Sequence, residues 1–110
     1  EDPGTADFLK KYADKAGDKK VPTSETALNY QGIAIIAKAM EVSGSVDDPE
    51  KIRAAVSDAL PEVDDKYKVN GFPEEITEQG HLLNPNLEAT YLDDEGKYTK
   101  VPIEQVSDNK

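Results

Sequence analysis

Residues 25–43 carry no proline, stop at Gly44, and hold more apolar side chains than one helical face can accommodate. The spacing predicts a helix over 25–43, with Thr23 and Ser24 as N-cap candidates and Gly44 as C-cap. At about 100° per residue, Gln31, Lys38 and Glu41 fall in one narrow sector, and Asn29, Gly32, Ile33, Ile36, Ala37, Ala39 and Met40 fill the opposite one. A narrow polar stripe predicts a helix buried on most sides. Asn29 breaks the apolar sector one turn before Ile33. Two readings follow: a buried amide bonded to nearby backbone, or a helix end that faces a polar cleft.

The rest of the chain supplies little to cover such a helix. Of 110 residues only 36% are hydrophobic, while 33% are charged. The formal net charge is -10, with 23 acidic and 13 basic side chains, so the field repels nucleic acid and anionic lipid alike. Nucleic-acid binding is excluded on that ground. No cysteine is present, which removes disulfides, thiolate zinc sites and thiol nucleophiles. The longest apolar run, residues 33–37, is far shorter than the roughly 20 residues of a membrane helix. The opening residues Glu1, Asp2, Pro3 and Gly4 have neither the basic nor the apolar region of a signal peptide.

Around the central helix the pattern is legible. Asp2 and Pro3 read as cap and first helical position, and Phe8, Leu9, Tyr12, Ala13 and Ala16 recur at helical spacing before Gly17. A first helix is expected over 3–16, then a connector through Lys19, Lys20, Val21 and Pro22. Asp47 and Glu50 have capping-box spacing around Pro49, and Ile52, Ala55, Val56, Ala59 and Leu60 make the buried face of a third helix ended by Pro61. Residues 62–71 are acidic and polar, which predicts an exposed loop. Beyond Phe72 the period changes to alternation. Residues 87–92 and 98–103 are expected to pair as a hairpin about the turn Asp93-Asp94-Glu95-Gly96, preceded by a short extended segment at Glu75, Ile76 and Thr77 with a turn at Gln79-Gly80. Residues 107–110 read as a frayed end. The expected organisation is helical over about 1–60 and extended over about 72–106.

Few residues invite chemistry. Asp93, Asp94 and Glu95 lack the alternation and the terminal glutamate of a calcium loop, and Asp64-Asp65 is a pair of adjacent carboxylates in a polar stretch, so no metal site is expected. His81 is the single histidine, follows a Gln-Gly turn, and has no flanking serine motif to make it a catalytic base. No phosphate-binding or zinc-protease motif occurs. Neither catalysis nor a cofactor is expected.

The order of features resembles a family. Phe8-x-x-x-Tyr12 with Gly17 and Pro22, then Tyr30, Ala37, Ala39-Met40-Glu41 and Ser43-Gly44-Ser45, then Asp48-Pro49-Glu50-Lys51-Ile52-Arg53-Ala54-Ala55 are similar to successive segments of type I periplasmic binding proteins, the substrate-binding components of branched-chain amino-acid ABC transporters. Ile76-Thr77-Glu78-Gln79-Gly80-His81 with Asn84-Pro85, and Gly96-Lys97 with Val101-Pro102, resemble the segments that close that family's chain. Gln31-Gly32 stands where Asp-Ala is usual, and Asn29 replaces a small apolar residue.

The resemblance implies an α/β parent fold of two lobes closing on a small ligand, with residues 1–110 as a C-terminal segment of three α-helices followed by a β-hairpin region. It places Ala27 and Tyr30 near the ligand side chain, with Asn29 as a neighbour facing the interior, and puts the residues that hold the ligand's amino and carboxylate groups outside this chain. The implied function is extracytoplasmic binding of an amino acid or similar solute for an ABC permease, in a periplasmic or cell-surface protein, lipoprotein-anchored or secreted. The alternative is a sensing or protein-interaction domain of the same fold without transport. Because two short helices and a hairpin cannot cover the central helix, the 110-residue chain alone is expected to dimerise or exchange elements between copies. Sedimentation should show association rising with concentration; a folded monomer at high concentration refutes it.

Overall fold

The computed structural model describes residues 2–17, 20–69, 71–83 and 88–102. The expectations for 107–110, for Lys19, for Asn84-Pro85 and for the hairpin positions Leu87 and Ile103 lie outside them. The order is α1 (Thr5–Ala16), α2 (Ser24–Ser43), α3 (Pro49–Ala54), α4 (Val56–Ala59), two 3-10 turns at Leu60–Glu62 and Asp65–Tyr67, then β1 (Glu75–Ile76), β2 (Leu82–Leu83), β3 (Glu88–Leu92) and β4 (Tyr98–Pro102).

The caps of α2 agree with the sequence. Thr23 and Thr26 form a reciprocal capping box, and Gly44 closes the helix at φ +66°, a left-handed conformation that glycine adopts without strain. Two other starts shift. Asp48, not Asp47, caps α3 by accepting from the Lys51 N–H at 3.2 Å, because Asp48 directly precedes Pro49. Helix α1 begins at Thr5 rather than at Pro3, and Gly4 at its N-cap position makes no side-chain cap bond. The Asp2 carboxylate expected there accepts instead from the Gly71 N–H, 69 residues away in sequence. A tertiary partner has taken the local cap.

Further departures concern residues 49–72. The single third helix is interrupted at Ala55, whose N–H is shared between the Lys51 and Ile52 carbonyls. The α-helix stops at Ala59, close to the expected end at Pro61, and Pro61 becomes the second residue of the 3-10 turn Leu60–Glu62. The expected exposed loop over 62–71 is exposed at Glu62, Asp64, Asp65 and Lys66 but also reaches the core, where Val63 is 4% exposed and Val69 is 1% exposed. Its short 3-10 turns let two apolar side chains face inward while Glu62, Asp64 and Asp65 stay in water. The first residues tie it down, since the Gly4 N–H donates to the Lys68 carbonyl at 2.9 Å. A Cβ on Gly4 would lie 2.5 Å from the Lys66 carbonyl oxygen, so only glycine permits that approach.

Three apolar clusters line the inner face of α2. Ala27 packs with Phe8 and Val69, Ile35 with Leu60 and Val63, and Ala39 with Ala55 and Ala59. The inner face is therefore Ala27, Gln31, Ile35 and Ala39. This rotates the expected orientation: Gln31 moves from polar stripe to interior, while Ile33 (72% exposed), Ile36 (51%) and Asn29 stand in solvent. The cause is distribution: α2 has apolar residues on both sides, and α1, α4 and the 60–72 segment reach one of them.

The strands form two separate antiparallel pairs, β1 with β2 and β3 with β4. In the second, Leu92 faces Tyr98 and Ala89 faces Val101 across a turn organised by Asp93. Asp93 Oδ1 accepts from the Glu95 and Lys97 N–H groups, and Oδ2 accepts from the Thr99 hydroxyl. Accessible surface totals 8408 Å² for 12.0 kDa, against roughly 6000 Å² for a compact monomer of that mass. The radius of gyration, 16.8 Å, likewise exceeds the roughly 13 Å of a compact domain of about this length.

Two outcomes follow. Leu60→Ala empties a site that is 1% exposed and should cost about 2–5 kcal/mol, read as a lower urea midpoint. The backbone N–H of Lys97, then the Thr99 hydroxyl and the Glu95 N–H, hold the Asp93 carboxyl below its ordinary value. A lowered folded value means stability present above the unfolded aspartate pKa of about 3.9 and lost as pH falls through the folded one. Cross-strand nuclear Overhauser contacts between Leu92 and Tyr98 should therefore persist at neutral pH and fade below about pH 4, whereas in Asp93→Ala they should be weak at every pH.

Candidate functional site

The three residues singled out in sequence do not converge. Ala27 is 6% exposed and packs inward on Phe8 and Val69. Tyr30 is partly buried in the same cluster, its ring 5.0 Å from Phe8 and 5.7 Å from Tyr67. Asn29 is exposed, roughly 160° around the helix from Ala27. The structure brings Ala27 and Tyr30 together and leaves Asn29 apart. Of the two readings of Asn29, the buried amide does not hold, because its side of α2 has no covering element among the described residues.

The polar residue that is buried is Gln31, 3% exposed and not singled out as a site residue in the sequence. It follows Ala27 and precedes Ile35 on the inner face, between their two clusters. Its Oε1 and the neighbouring Tyr30 hydroxyl are the buried side-chain polar atoms without a hydrogen-bond partner among the described residues. Such atoms are rare in native interiors because each loses its water without replacement. Periodicity could not have found Gln31, since on that criterion it belonged to the polar stripe.

Around the aromatic trio the charges are balanced. Lys11 pairs with Asp7 at 2.6 Å, Lys66 with Asp64 at 3.3 Å and Lys68 with Asp65 at 2.7 Å. The Asp7 carboxylate accepting from Lys11 raises that lysine, and the Asp64 carboxylate raises Lys66. Asp64 is itself lowered, first by the Lys66 backbone N–H and then by its side chain. Lys66 Nζ lies 5.0 Å from the Tyr67 ring centroid. These pairs are exposed and screened by solvent, so they add little to stability. They lie on the surface around the trio.

The N-terminus of α2 is likewise occupied. Thr26 N–H donates to the Thr23 hydroxyl, and the Glu25 carboxyl is lowered by its own backbone N–H and then by Thr23. Elsewhere, His81 is exposed and its backbone N–H donates to the Thr77 hydroxyl, an arrangement that closes a turn. Among the described residues no group of three His, Cys, Asp or Glu side chains could hold a metal ion, and no helix is long and apolar enough to cross a membrane. What the geometry offers is an aromatic and amide-bearing helix, suited to packing and hydrogen bonding.

Against known proteins, the family model described as periplasmic binding protein matches residues 1–97 of the 110. The chain belongs to the periplasmic binding protein family, type I. No curated protein and no solved structure matches it. The four helices and two small antiparallel sheets among the described residues are consistent with a piece of that family's α/β parent fold.

The orphaned amide makes a direct test. Gln31→Met keeps an unbranched side chain and removes an unsatisfied acceptor, so stability should rise by about 1 kcal/mol, read as a higher melting temperature and urea midpoint. A fall instead would mean that the amide has a partner in solution.

Proposed function

We propose that this segment belongs to the C-terminal region of a two-lobed solute-binding protein that captures an amino acid or similar small solute by lobe closure and delivers it to an ABC permease. The observation that carries the reading is the family match over residues 1–97, together with the order of motifs from Phe8 to Val101. Hinge closure around a small ligand is how such proteins bind. The family works by ligand binding rather than turnover, and its members act in the periplasm or outside the cell. The small-molecule ligand is the first partner implied and the permease the second.

In this reading the helical part, through α4, packs in one lobe, and the chain then runs toward the other lobe through the β1–β2 and β3–β4 pairs. Ala27 and Tyr30 sit at the end of α2 that borders the cleft, with Asn29 at the same end but on the opposite, exposed side. Ala27 acts through packing, because its methyl is already engaged by Phe8 and Val69. Asn29, exposed and uncharged, is the member free to meet a ligand or the opposite lobe. The aromatic trio Phe8, Tyr30 and Tyr67 fixes that end of α2 against α1.

The test is a thermal-shift screen of the natural polypeptide that carries this segment, with the protein amino acids supplied singly. At a ligand concentration of 100 times Kd, binding adds about 2.7 kcal/mol to stability. At least one amino acid should raise the melting temperature of the natural polypeptide, while the 110-residue segment alone should not respond. A natural polypeptide unmoved by every amino acid overturns the amino-acid version of the proposal.

A further inference from the structure

We draw no further inference here: the strongest candidate, the charge-free outer face of α2 formed by Ile33, Ile36, Ala37 and the half-buried Met40, is an unpartnered apolar surface, and nothing among the described residues shows what covers it.

Discussion

Burial of one face of α2 is the constraint on which the helical part of the structure depends. Ala27, Ile35 and Ala39 each seed a separate apolar cluster, and those clusters reach α1, the 60–72 segment, α3 and α4. Short helices such as α3 and α4 are too short to persist in water by themselves. They exist because Ala55, Ala59 and Leu60 lose their water against α2. The small side chains Ala39, Ala55 and Ala59, exposed at 0%, 8% and 0%, let the backbones approach closely.

What holds the irregular segment after α4 is different in kind. The described residues of 60–72 form two 3-10 turns and no regular ladder, so their backbone groups depend on particular partners. Gly4 and Asp2 supply two of them, at Lys68 and Gly71. The surface ion pairs add little, being exposed and local in sequence. Val63 and Val69 then complete two of the three clusters from a stretch whose composition reads as solvent-facing. The β3–β4 pair depends on its own turn, where one carboxylate gathers two backbone donors and a hydroxyl.

The family was legible through the order of segments along the chain, since the resemblance spanned many weak motifs and the family match covers residues 1–97. Individual site residues were less accessible to sequence. Ala27, Tyr30 and Asn29 are within one helical turn of each other, yet α2 turns Ala27 inward and Asn29 outward. Gln31 was hidden by its chemistry: an amide at the edge of a polar stripe looks solvated until a neighbouring element is placed over it.

By itself, the sequence determined the bounds of α2, the start of α3 and the turn between β3 and β4, because caps, glycines, prolines and hydrophobic period act over a few residues. Thr23, Gly44, Pro49 and the turn at Asp93 all marked their elements correctly to within a residue or so. It also determined the acidic balance, a formal net charge of -10. Only the tertiary structure decided which side of α2 is covered, that Asp2 serves Gly71 rather than α1, and that Val63 and Val69 are core. The physical reason is that a helix apolar on two sides has no internal preference between them, and a carboxylate or valine goes to the partner that another part of the chain presents.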